Sequence, residues 1–107
     1  MRPEVDLPTF AAAHHDGAIV IDVREPAEYA TGHVSGAKPI PLGAVAARAG
    51  ELPRGVPVYV ICAGGARSLT AAEQLIRAGV DARSVAGGTS AWLRAGHPVT
   101  QGARATA

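Results

Sequence analysis

Short apolar runs rich in β-branched residues recur along this chain, separated by amphipathic segments of about ten residues, and few folds accept that pattern. Ala18-Ile19-Val20-Ile21-Asp22-Val23 is apolar except at Asp22, and Val58-Tyr59-Val60-Ile61 is apolar throughout. Runs of this kind suit strands buried on both faces, as in a parallel sheet covered by helices. The expected class is therefore α/β. With 107 residues, 48% of them hydrophobic, the chain can build one core and is too short for two. One domain over residues 1–99 is expected, with 100–107, small, polar and without pattern, as a frayed tail.

Punctuation places the remaining segments. Leu7 to His15 predicts a helix with Leu7, Phe10 and Ala11 on one face, broken by Asp16-Gly17. Glu25 to Ala30 predicts a short helix with Pro26 in its first turn and acidic residues at its N-terminal end, closing near Gly32. In Gly36 to Pro41, Pro39 and Pro41 cannot donate to a ladder, which restricts the piece to a sheet edge. Leu42 to Ala49 is a weak helix and Pro53 to Pro57 a polar connection. Ser68 to Ala78 is the strongest helical signal, with Leu69, Ala72, Leu75 and Ile76 expected inward and Gly79 at its end. Ala82 to Ala86 predicts a further strand, and Thr89 to Ala95 a last helix with Trp92 facing the core.

The only cysteine, Cys62, follows directly on Val58–Ile61 and begins Cys62-Ala63-Gly64-Gly65-Ala66-Arg67-Ser68. A strand ending in a thiol, a glycine-rich turn and a helix start together make an anion pocket with a nucleophile at its base. Backbone N–H groups converging there favour the thiolate and lower the thiol pKa from about 8.5. Gly64 and Gly65 suit a curled backbone that needs positive φ and a close approach of amides to sulfur. Arg67 fits three roles: orienting an anionic substrate, raising the thiolate population, or tying the loop to an acidic residue such as Asp22.

Charge and composition exclude several functions. The net charge is +1, and Lys and Arg are spread along the chain, which gives no footprint for nucleic acid. The longest apolar runs fall far short of the roughly 20 residues that span a bilayer, so no membrane partner is expected. The N-terminus lacks an apolar segment of the secretory kind, and one cysteine forms no internal disulfide. A reducing compartment, the cytoplasm, is the expectation. His14, His15 and His97 have no cysteine or carboxylate at metal-ligand spacing, so no metal is expected. Gly64-Gly65 lacks the third glycine of a dinucleotide turn and the lysine of a phosphate loop, and no cofactor is expected.

Taken together, Asp22-Val23-Arg24-Glu25-Pro26-Ala27-Glu28-Tyr29, Gly32-His33-Val34-Ser35-Gly36-Ala37, Ile40-Pro41, Cys62 through Arg67, Gly87-Gly88-Thr89-Ser90-Ala91-Trp92 and Gly96-His97-Pro98-Val99 resemble a rhodanese homology domain. The likeness covers nearly the whole chain, and its specificity lies in the order and spacing of the pieces. It implies a small doubly wound domain, a central parallel sheet of about five strands with helices on both faces, and an active-site loop at the carboxyl end of a central strand. It also implies sulfur transfer through a persulfide on Cys62, with Arg67 beside it and the amides of Ala63, Gly64, Gly65, Ala66 and Ser68 as the substrate cradle. Asp22 and Arg24 are expected to brace the loop, and His33 to stabilise a turn.

Under that resemblance Cys62 attacks the sulfane sulfur of a small anion such as thiosulfate, and a thiol or cyanide later removes it in a ping-pong cycle. A protein sulfur acceptor is a further partner class. The rhodanese-like phosphatases and arsenate reductases carry a loop one residue longer between cysteine and arginine. Only four residues separate Cys62 from Arg67, a cradle for one sulfur atom and too tight for a phosphoryl group, and Ile61 stands where many of those phosphatases place histidine. Several thiosulfate-specific relatives carry a second basic residue in the loop, whereas Ala63, Gly64 and Ala66 are neutral. The alternative is a sulfur-carrier or interaction module with little small-molecule turnover. A regulatory domain without catalysis is disfavoured by the retained cysteine.

Overall fold

The five strands β1 (Glu4–Val5), β2 (Ile19–Asp22), β3 (Lys38–Pro39), β4 (Pro57–Ile61) and β5 (Asp81–Val85) form one sheet in the order β1-β5-β4-β2-β3. Every pairing is parallel. The structure is a computed structural model and describes residues 3–105; residues 1–2 of the expected domain and 106–107 of the expected tail lie outside the described residues. Between the strands run α1 (Leu7–His15), α2 (Pro26–Thr31), α3 (Leu42–Arg48) with a 3-10 turn at Ala49–Glu51, and α4 (Ala66–Arg77), and α5 (Gly88–Arg94) follows β5. The chain builds outward from β2 to β3, then crosses back to β4 and β5, so β2 and β4 flank the point where the winding reverses.

Residue alternation along β4 divides the core into two layers. Val58, Val60 and Cys62 belong to a cluster with Val45, Ala71, Ala72 and Leu75 on the α3 and α4 face. Tyr59 and Ile61 belong to one with Phe10, Tyr29, Val85 and Trp92 on the other face. Each fully buried Val or Ile contributes about 1.5–3 kcal/mol of transfer free energy, and the sheet is stable because both faces are covered. In β2 the expectation of a strand buried on both faces holds from Val20 onward, whereas Ile19 at its entry is 38% exposed.

The strand β1 was not foreseen, because two residues carry no period. It forms because β5 offers an open edge: Ser84 N–H donates to Pro3 C=O and Ala86 N–H to Val5 C=O. The inward face of α4 is turned from the expected one: Ser68, Ala71, Ala72 and Leu75 are buried, Leu69 is half-buried and Ile76 is 45% exposed. Small residues against the sheet let the helix lie close, and Ser68 comes to point at the cysteine.

Beyond the strands the ladder continues, with Val23 N–H donating to Ile61 C=O and Ile40 N–H to Asp22 C=O, both at 3.0 Å. These bonds hold the carboxyl ends of β2 and β4 in fixed register. Thr100, just past the expected boundary at residue 99, exchanges both backbone hydrogen bonds with His33 at 2.9 and 2.8 Å, and Gly102 N–H donates to Ala30 C=O.

Candidate active site

Cys62 is the first residue after β4, and period-two alternation sends its side chain toward α4. The residue is 1% exposed and lies directly beneath a loop whose Gly64 and Ala66 face solvent. Gly65 caps α4 with φ +110°, and its N–H donates to Cys62 Sγ at 3.1 Å. A Cβ on Gly65 would adopt a disfavoured left-handed backbone and lie 3.2 Å from Gly87 N. Gly64 differs: its φ is not positive, and a Cβ there would meet nothing within 4 Å. The expectation that curling demands both glycines therefore holds at Gly65 and fails at Gly64. Gly64→Ala should change stability by less than about 0.5 kcal/mol, while Gly65→Ala should cost about 1–3 kcal/mol. Thermal melts of the two variants check the contrast.

The thiol's environment is polar on the side that matters. Burial pushes its pKa up, but the Ser68 hydroxyl and the N–H groups of Ser68, Gly65 and Gly64 push harder the other way, leaving it below the ordinary thiol value. Ser68 Oγ lies 3.3 Å from Sγ, 3.2 Å from Gly65 C=O and 2.7 Å from Ser84 Oγ. A hydroxyl has one proton, so these contacts interchange with the state of the sulfur. With a neutral thiol, S–H donates to Ser68 Oγ and Ser68 O–H donates to Gly65 C=O. With a thiolate, Ser68 O–H turns to the sulfur while Ser84 O–H can donate to the vacated lone pair.

The reactive form is the thiolate, so alkylation and turnover should rise with pH through the depressed Cys62 pKa and level off above it. Ser68→Ala removes the largest of the groups that lower it, and the inflection in the pH profile of iodoacetamide alkylation should move upward. An unmoved inflection would assign the depression to the amides alone.

A second glycine pair braces the first loop from across the sheet end. Thr89 donates to Cys62 C=O twice, from N–H at 2.8 Å and from Oγ1 at 3.0 Å, and Ser90 N–H donates to Ala63 C=O at 3.0 Å. The free N–H groups that open α5 are thus spent on the cysteine loop. Gly88 is the contact point, because a Cβ on it would sit 2.5 Å from Cys62 C=O. The role of Gly88, Thr89, Ser90 and Ser84 as braces was not read from the sequence. Its one trace was the Gly87-Gly88-Thr89-Ser90 run, whose partner is invisible without the fold.

Arg67 lies in the first turn of α4 and not in the loop. Its guanidinium makes a two-pronged ion pair with Glu28, Nη1 to Oε1 at 2.7 Å and Nη2 to Oε2 at 2.9 Å. Asp22, offered above as an example partner, is taken by Arg24, whose Nη2 lies 2.8 Å from Asp22 Oδ2 and also donates to Gly32 C=O. Both are buried, so Asp22 and Arg24 brace the end of β2. His33, also fully buried, donates from Nδ1 to Tyr29 C=O at 2.9 Å and stacks on the Tyr29 ring. Trp92 is 3% exposed and donates to Pro98 C=O, within the core as expected.

The Arg67 hydrogen bonds, aided by the Glu25 N–H, hold the Glu28 carboxyl at about 2, down from 4.5. A depressed carboxyl stabilises the fold above its unfolded pKa, so this contribution is present above about pH 4.5 and is lost as pH falls toward about 2. Both side chains are more than a third exposed, so water screens much of that contribution.

Of the expected site residues, Cys62, Gly65 and Ser68 meet at the sulfur. Gly64 contributes its amide alone, and Ala63 its carbonyl to the brace. Ala66 is exposed at the start of α4, and Arg67, within electrostatic reach of Cys62, is held by Glu28. Chemically, the arrangement is an ionisable sulfur in a ring of N–H and O–H donors, suited to attack on a soft electrophile and to stabilising an added anionic atom.

A family model described as Rhodanese-like domain matches residues 7–95. A protein named Sulfurtransferase from Allochromatium vinosum is 33% identical over 92% of this chain and 95% of its own length. One named Thiosulfate sulfurtransferase GlpE from Pseudomonas putida is 37% identical over 78% of this chain and 76% of its own. A Bacillus subtilis protein named Putative sulfur carrier protein YrkF is 38% identical over 72% of this chain and 43% of its own length. The crystal structure of a rhodanese-related protein from Thermoplasma volcanium superposes with a TM-score of 0.84 at 31% identity, covering 91% of this chain and 96% of that one.

Proposed function

The chain belongs to the rhodanese-like domain family, and on that premise we propose that it is a sulfurtransferase that moves a sulfane sulfur from a small anionic donor to a thiol or cyanide through a persulfide on Cys62. The observation that carries this is the Cys62 sulfur facing the Gly65 N–H at 3.1 Å and the Ser68 hydroxyl at 3.3 Å. In the first half-reaction the thiolate forms an S–S bond to the sulfane sulfur, and the bond from that sulfur to the donor's oxidised sulfur breaks. Its electron pair leaves with sulfite. The negative terminal sulfur of the persulfide then lies where the same donors can hold it. In the second half-reaction the acceptor takes that sulfur and the thiolate returns. Arg67 and the amides of Ala63, Gly64, Gly65, Ala66 and Ser68 are the substrate cradle in this reading, and a reducing compartment such as the cytoplasm suits the lone thiol.

A carrier reading, in which the sulfur is passed to a protein acceptor with little small-molecule turnover, is favoured by one observation: the Arg67 charge is already paired with Glu28, which weakens its pull on a small anionic donor. Intact mass after incubation with thiosulfate tests the proposal. The expected result is gain of one sulfur atom, discharged as thiocyanate on adding cyanide. Protein that never gains sulfur from any donor would sink it, and slow discharge of a stable adduct would select the carrier.

A further inference from the structure

The two arginines nearest in sequence to the ends of β2 and β4, Arg24 and Arg67, are both paired with carboxylates. Arg24 is buried on Asp22, and Arg67 is held at both Nη atoms by Glu28. Each of these cations is thus matched by one carboxylate, and neither is left unpaired to meet a doubly charged donor. Loop positions Ala63, Gly64 and Ala66 add no charge of their own.

We propose that Glu28, by holding Arg67, sets the charge selectivity of the site against doubly charged sulfur donors and in favour of singly charged ones, in which carbon replaces a charged oxygen. This rests on the reading of Cys62 as the sulfur-accepting nucleophile and names its substrate class. A thiosulfate dianion meets no unpaired cation there unless it displaces Glu28 from Arg67. A thiosulfonate or an alkyl persulfide presents a sulfane sulfur with one charge at most and needs no free guanidinium. With an alkyl thiosulfonate the thiolate forms the same S–S bond, the sulfane sulfur leaves its sulfonyl partner, and the pair departs as sulfinate. One negative charge enters with the donor and one leaves.

Methanethiosulfonate and thiosulfate share the transferred sulfur and differ in one oxygen and one charge, so their kcat/KM ratio reads selectivity directly. The full chain should prefer methanethiosulfonate, and raising salt should narrow the preference by screening. Glu28→Gln is the decisive variant, because glutamine still accepts the Glu25 N–H that closes the start of α2 but carries no charge. It should raise thiosulfate kcat/KM relative to methanethiosulfonate by about tenfold. Adding Arg67→Gln to it should erase the gain, since the freed guanidinium is its source. An unchanged ratio in Glu28→Gln, or a gain that survives loss of Arg67, would overturn the proposal while Cys62 still gains sulfur from either donor. If Cys62 gains sulfur from neither donor, the sulfurtransferase reading fails and this inference fails with it. Should Glu28→Gln fold poorly, the salt dependence of the unaltered chain decides: a preference indifferent to salt is the contrary result.

Discussion

Cys62→Ser should lose turnover with thiosulfate and cyanide by a factor of about a thousand or more and should take up no sulfur at all. Serine is nearly isosteric, and its hydroxyl can still meet the Gly65 N–H and Ser68 that now surround sulfur. The fold should therefore be almost untouched, with a change in stability of about 1 kcal/mol or less. What is lost is acidity. A thiol starts from about 8.5 and is moved downward here, whereas an alcohol is so much weaker an acid that the same donors leave it neutral. An alkoxide would also be a poor match for a soft sulfur electrophile. Steady-state rates and intact mass measure the two outcomes separately. Comparable sulfur uptake by the serine variant would move the chemistry away from this residue.

Gly88→Ala is expected to be the most damaging single methyl that can be added near the site. Gly88 has φ +56°, and the new Cβ would lie 2.5 Å from Cys62 C=O, 2.6 Å from Ala63 C=O and 2.7 Å from the Ala63 carbonyl carbon. All three are backbone atoms of the cysteine loop, so no flexible side chain can move aside. Relief requires the start of α5 and the cysteine loop to separate, which breaks the bonds from Thr89 and Ser90. Left-handed strain plus overpacking predicts a loss of about 3 kcal/mol or more. For a domain of this size that corresponds to a fall in melting temperature of about 10 °C or more. Because the loop carries the sulfur's donors, the thiol pKa should also climb. Gly36→Ala is the internal control, since Gly36 has φ +82° but open space, and only the backbone strain of about 1 kcal/mol applies. A Gly88→Ala melt within a degree of the unaltered chain would mean that the two loops are not braced as described.

These results bear on how much of the molecule can be read from its residues. Cys62, Gly65 and Ser68 were legible because strand, turn and helix start are consecutive in sequence, and local chemistry dictates where a thiol after an apolar run must lie. Gly64 was over-read, because two adjacent glycines look alike on paper and only the backbone tells which one curls. The sheet was legible from Val20–Val23 and Val58–Ile61. Two-residue strands such as Glu4–Val5 were not, because their stability resides in the β5 edge they join and not in themselves.

The order of apolar runs and amphipathic segments determined an α/β domain, a lone thiol at a strand end and a helix rising from its loop. Those are outcomes of short-range sterics, of periods two and 3.6, and of burial. Only the folded chain decided that Arg67 is held by Glu28, 39 residues away, that Ser84 backs Ser68, and that Gly88 seats the cysteine loop. Each depends on parallel strands drawing distant segments to one sheet end, where angstrom-scale distances choose among partners of equal chemical merit. Asp22 and Glu28 are both carboxylates within electrostatic reach of Arg67, and geometry alone assigned one to Arg24 and the other to Arg67.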